Sequence, residues 1–176
     1  MRRRHSALPR LWLLTDERQG EALWEALRSL PRGSGVIVRH YSLPPTRRAA
    51  LLRRIRRVGR GLVLAWSGTA AQAEALRADA VYGADLCPSC LPRLFPVHNL
   101  REIVTADRAG GALLFLSPVF ATRTHPDAKP LGPRRFAVLA HTTRTPVIAL
   151  GGMTSRRARS VMGMGAAGWA AIDGLC

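Results

Sequence analysis

Apolar residues recur along this chain in short, nearly unbroken runs. They read RLWLLTD at 10–16, GVIVRHY at 35–41, GLVLAW at 61–66 and DAVYG at 79–83, then RLFPVHN at 93–99, ALLFLSPVF at 112–120, PVIALGG at 146–152 and AAGWAAIDG at 166–174. A strand that is apolar on both faces must be covered on both faces, which is the situation of strands in a parallel sheet. Between the runs, segments 21–30, 46–58, 70–77, 100–108, 133–141 and 154–164 set their apolar residues at helical spacing. About eight strand units interspersed with helices predict an α/β protein with the (β/α)8 TIM-barrel architecture. Such barrels typically run to ~250 residues, so in a single domain of 176 residues the helices and loops must be trimmed. An open doubly wound sheet is the alternative, but no GxGxxG opens the first unit.

Charge changes this picture less than its size suggests. The formal net charge is +16, and every basic residue except Lys129 is an arginine. In the densest run, RRAALLRRIRR at 47–57, Leu51, Leu52, Ile55 and the following Val58 fall on one helical face and arginines fill the other. That pattern is a solvated helix face, and nucleic acid is not expected as a partner. No segment approaches the ~20 apolar residues of a membrane span, and MRRRHSALPR is not followed by a signal-type apolar core. A cytoplasmic protein without membrane association is expected. The three cysteines do not suggest a disulfide framework. Cys87 and Cys90 form CPSC, whose spacing suits a redox dithiol or half a zinc site, but without a second pair incidental loop cysteines are the simpler reading.

The candidate chemistry lies where strands end. In a parallel barrel the residues following each strand gather on one face. The segment LFLSPVFATRTHPDAKPLG, 114–132, passes from an expected sixth strand, Leu113 to Val119, into Thr122, Arg123, Thr124, His125 and Lys129. These hydroxyl and cationic donors suit an anionic ligand. After an expected seventh strand, Pro146 to Leu150, Gly151 and Gly152 make a turn, and Thr154 or Ser155 caps the next helix. Glycines allow backbone amides close approach to a phosphate, and a helix N-terminus favours negative charge. The AIDG turn after the eighth strand would lie beside it. Thr122 and Gly151 are therefore expected on one rim.

The combination of LLTD at 13–16, SPVFATRTHP with PLG at 117–132, PVIALGGMT at 146–154 and GAAGWAAIDG at 165–174 resembles the thiamine phosphate synthase/TenI family. The resemblance implies a (β/α)8 barrel. It also implies a synthase that joins hydroxymethylpyrimidine diphosphate to thiazole phosphate with Mg²⁺ and releases diphosphate, or a TenI-like thiazole tautomerase. Arg39 matches the diphosphate-gripping loop, although Ile37 and Tyr41 stand where glutamine and lysine are usual. Trp66 and Ser67 replace an Asn-Asp pair, and Trp66 would stack on the pyrimidine. Asp85 would hold Mg²⁺. Pro96 replaces a serine, while His98 matches a nearby histidine. Thr122 and Thr124 match family threonines, His125 falls where synthases carry lysine, and Lys129 would join Arg39 on diphosphate. Pro118 replaces the tautomerase histidine. Gly151, Gly152 and Ile172 match the thiazole-phosphate turns, and Asp173 replaces a phosphate-binding serine. The expected partners are small-molecule phosphate esters. A catalytically degenerate phosphate-ligand-binding barrel remains the alternative to an enzyme, and the sequence leaves homo-oligomerisation open.

Overall fold

The computed structural model describes residues 8–123, 128–173 and 175. Its strands are β1 (Leu11–Leu14), β2 (Gly35–Val38), β3 (Val63–Ser67), β4 (Ala80–Tyr82), β5 (Arg93–Val97), β6 (Leu113–Leu116), β7 (Val147–Ala149) and β8 (Gly168–Ala171). The described helices are α1 (Ala22–Ser29), α2 (Pro45–Val58), α3 (Ala70–Ala75), α4 (Leu100–Arg108), α5 (Gly132–Ala140) and α6 (Ser155–Met162). All strands pair in parallel in chain order, and β8 returns to β1 to close the barrel. Every strand falls inside the apolar run that foretold it, except that β3 runs one residue further, to Ser67. The sixth strand is shorter than expected, ending at Leu116, because Pro118 has no amide to donate to a ladder. The helices are short, and β4 connects to β5 through 83–92 without one.

The apolar runs divide their side chains between two cores by the two-residue period of a strand. Trp12, Leu14, Ile37, Ala65, Tyr82, Leu94, Phe115 and Ile148 share the cluster that fills the barrel. Their neighbours Leu13, Val36, Val38, Leu64, Trp66 and Val81 pack in a separate cluster with residues of α1, α2 and α3. Phe95, Val97, Leu114, Leu116 and Val147 do the same with residues of α4, α5 and α6. Inside, Phe115 meets Trp12 and Tyr82 edge-on, with ring centroids 5.6 and 5.3 Å apart. Small residues make room for these rings: an added Cβ on Gly35 would stand 2.1 Å from the Trp12 indole.

The arginines of α2 are only partly a solvated face. Arg54 lies 3.8 Å over the Trp24 ring, and Arg56 donates to the carbonyls of Leu76 and Arg77 beyond the end of α3. Their stems and planar heads seal the junctions between helices. Among the described residues no helix is long and apolar enough to cross a membrane.

Candidate functional site

The loops after β6, β7 and β8 enclose a cavity of about 280 Å³. Its base is the Gly151–Gly152 turn, with φ of +94° and +61°. An added Cβ would lie 2.7 Å from Pro118 Cα at Gly151 and 2.4 Å from the Ala121 carbonyl oxygen at Gly152, so two loops touch backbone to backbone here. Thr154 caps α6, its hydroxyl oxygen accepting from the Arg157 amide at 3.3 Å. The first-turn amides of α6 have no intrahelical acceptor, which leaves a positive pole at the cavity. Arg157 donates to the Gly152 carbonyl at 2.6 Å and lies 4.8 Å over the Phe120 ring, placing a guanidinium on the cavity wall.

The wall from β8 is held by the loop after the adjacent strand β1. The Gln19 amide donates to the Ile172 carbonyl at 2.7 Å and to the Leu14 carbonyl at 3.3 Å, fixing the turn that presents Asp173. Asp173 is paired with Arg123 at 3.0 Å, the two side chains being 39% and 82% exposed. The Asp173 carboxylate is thus met by a guanidinium from the neighbouring loop. Thr122 and Ile172 line the same cavity.

Above β1 and β2, Asp16 receives both Nε and Nη2 of Arg18, at 2.6 and 3.1 Å, and has Arg39 Nη2 at 3.8 Å. The Arg18 hydrogen bonds hold the Asp16 carboxyl below the usual range against the opposing effect of burial. Arg39 is inset, with its side chain 18% exposed and its buried Nε lacking a partner. Its backbone amide donates to Thr15 Oγ1 at 3.0 Å, and the same hydroxyl lies 2.9 Å from His40 Nδ1. Burial lowers the His40 pKa, outweighing the attraction of Glu17 and Asp16.

Above β3 and β4 the arrangement departs from the expectations. Trp66 is buried, 2% exposed, in the cluster between the sheet and the helices rather than inside the barrel. Its Nε1 donates to Gln72 at 3.1 Å, and the Arg48 guanidinium stands 4.0 Å over its ring. The face expected to stack on a ligand is therefore taken by Arg48. The reason is strand alternation: Ala65 points inward, so Trp66 points outward. Arg48 donates through Nη2 to the Ser67 carbonyl, and the Ser67 hydroxyl shares a 2.7 Å hydrogen bond with the Tyr41 hydroxyl.

The expected Mg²⁺ ligand does not fit that task. Magnesium demands several converging hard oxygens. Asp85 gives one carboxylate oxygen to the Ala70 amide at 3.2 Å and the other to the Cys87 amide at 3.0 Å. These contacts, led by that of the Cys87 amide, hold its carboxyl below the usual range. Among the described residues no three histidine, cysteine or acidic side chains converge on a common point. Asp85 fastens the β4 loop onto the start of α3, beside Cys87 and Cys90, which are both exposed and free. His98 turns to α4, its Nδ1 2.8 Å from Glu102. Lys129 is exposed in the stretch before α5. Thr124 and His125 lie outside the described residues.

The structure brings Thr122, Gly151, Gly152, Ile172 and Asp173 into one cavity and sets Arg39 at the neighbouring sector of the rim. Arg48, Arg157 and Gln19 had not been singled out. Arg48 and Arg157 sit on helices where arginines read as solvent-facing, and Gln19 acts across 153 residues of chain. Only LLTD, which ends in Asp16, signalled that the loop after β1 had a task.

A closed parallel barrel with a cavity built from its last three loops defines a (β/α)8 protein whose site lies on the C-terminal rim. Residues 95–175 match the family model described as Thiamine monophosphate synthase. Over 180 residues the chain is 29% identical to the putative thiamine-phosphate synthase 2 of Aquifex aeolicus, an alignment covering 94% of this chain and 97% of that relative. It is 34% identical over 111 residues to the thiamine-phosphate synthase of Chloroflexus aurantiacus, covering 57% of this chain and 51% of that one. A solved thiamine phosphate pyrophosphorylase from Pyrococcus furiosus shares the fold, with a TM-score of 0.78 and 24% identity over 94% of this chain and 86% of that one. These likenesses, strongest over residues 95–175, support the thiamine phosphate synthase/TenI family for this chain.

Proposed function

We propose that this chain is a thiamine phosphate synthase-like protein of thiamine biosynthesis, joining hydroxymethylpyrimidine diphosphate to thiazole phosphate. The observation that carries this reading is the cavity at Gly151 and Gly152, which lies within the segment matched by the family model. A phosphate dianion there meets the α6 N-terminus and, on the wall, Arg157. In the coupling, the bond from the pyrimidine methylene carbon to diphosphate oxygen breaks, with its electron pair leaving on diphosphate. The thiazole nitrogen lone pair forms the new carbon–nitrogen bond. The protein's share is to hold the two reactants in line and to stabilise the departing negative charge. Arg39 stands nearest that task, with Lys129 and Thr122 on the loop after β6. No step is assigned to Mg²⁺, because the described residues do not form its site. The tautomerase reading gains no support, since proline occupies position 118.

The phosphate half of the reading is tested by calorimetry with thiazole phosphate. The wild-type chain is expected to bind it, and Asp173→Ser to bind about fivefold more tightly, as expected for removing a like charge at a solvent-exposed site. The change also releases Arg123 from its 3.0 Å partner. Weaker binding by the variant would mean that Asp173 serves the site by holding Arg123 in place. Absence of binding by both forms would remove the assignment of this cavity.

A further inference from the structure

We propose that the chain binds its diphosphate group without a divalent cation, with the Arg48 guanidinium supplying, alongside Arg39, the positive charge a metal would bring. The inference rests on the reading above in taking diphosphate as the leaving group. Three features on the rim between β2 and β4 carry it.

Arg48 is the first. It is held by the Trp66 ring at 4.0 Å and the Tyr41 ring at 5.8 Å, and by the Ser67 carbonyl. Its Nε is buried without a partner, as is that of Arg39. Among the described residues neither Arg48 nor any group within ion-pair distance of it brings a carboxylate, so its charge stands uncompensated. A half-buried cation without a counter-ion is costly, and a bound anion offsets that cost.

The second is placement. Arg39 lies 5.5 Å from the Tyr41 ring, so two guanidinium groups flank the same aromatic side chain. Arg48, Tyr41 and Ser67 also line a cavity of about 370 Å³ large enough for a diphosphate group. The third is that a cation is unwelcome there. The Ser67 carbonyl and hydroxyl are engaged, both Asp85 oxygens accept backbone amides, and a fixed guanidinium repels a divalent ion at short range. The Asp85 carboxylate lines the cavity as well, but both its oxygens accept backbone amides, from Ala70 at the start of α3 and from Cys87 in the loop after β4.

The test is calorimetry of inorganic diphosphate with the full chain, once in EDTA and once with excess Mg²⁺. Binding in EDTA, with an affinity within about threefold of that in Mg²⁺, is expected. Arg48→Gln should weaken it at least tenfold, about 1.4 kcal/mol, and Arg48→Lys should restore part of the loss by returning the charge without the fork. Near-UV circular dichroism and the melting temperature of each variant establish that it is folded. Binding seen only with Mg²⁺ overturns the proposal, as does unchanged affinity in folded Arg48→Gln. Failure to bind diphosphate in either condition also overturns it. Thiazole phosphate binding at the β7–β8 cavity, measured separately, then decides the functional reading on its own.

Discussion

Gly152→Ala is expected to destabilise the fold by roughly 2–5 kcal/mol and to abolish measurable thiazole phosphate binding. Two costs combine. The position has φ +61°, where an L side chain costs about 1–2 kcal/mol. The new Cβ would also lie 2.4 Å from the Ala121 carbonyl oxygen and 3.0 Å from Phe120 Cβ, atoms of the loop that forms the opposite wall of the cavity. Forcing that loop away is an overpacking cost of about 1–3 kcal/mol. Binding should suffer more than stability, because the displaced atoms belong to the wall and Arg157 donates to the Gly152 carbonyl itself. Urea denaturation and calorimetry on the same preparation measure both effects. A variant within about 0.5 kcal/mol of wild type, the margin of an ordinary surface change, would show that the two loops do not meet as described.

Phe115→Ala should cost about 3–5 kcal/mol of folding stability, the range for deleting a buried aromatic ring. Phe115 is fully buried at the centre of the barrel, where its ring meets Trp12 at 78° and Tyr82 at 87°. Both neighbours are themselves locked: Trp12 donates to the Pro9 carbonyl at 2.7 Å, and Tyr82 is paired through its backbone to β3 and β5. Neither can swing into the space that the ring leaves. The loss should therefore sit near the upper end of that range and appear in chemical denaturation as a lower midpoint with an unchanged slope. A loss below about 1.5 kcal/mol, the size of a modest repacking effect, would mean that the barrel interior closes over the gap.

The fold was legible because closed parallel barrels write their strands as runs buried on both faces, and each such run became a strand. The β7–β8 cavity was legible for a related reason. Gly151 and Gly152 are required by local backbone geometry, and local requirements leave a mark in local sequence. What remained hidden depends on partners far apart in the chain. The serine expected at 173 is an aspartate, and the guanidinium that offsets it comes from Arg123, 50 residues away. Arg48 lies in a run of arginines that reads as a solvated face, and only the folded barrel sets one of them over Trp66 and against Ser67. Trp66 itself could have been placed from its strand, since Ala65 at the inner position forces it outward. Asp85 illustrates the opposite limit: the resemblance casts it as a metal ligand, but both carboxylate oxygens are committed to backbone amides.

The synthase reading is tested most directly by one assay: the purified chain incubated with hydroxymethylpyrimidine diphosphate and thiazole phosphate, with thiamine phosphate and diphosphate followed together. It predicts that both products appear in equal amounts, above the uncatalysed background and in proportion to the protein added. No thiamine phosphate above background, at substrate concentrations that saturate the cavity at Gly151 and Gly152, would contradict it.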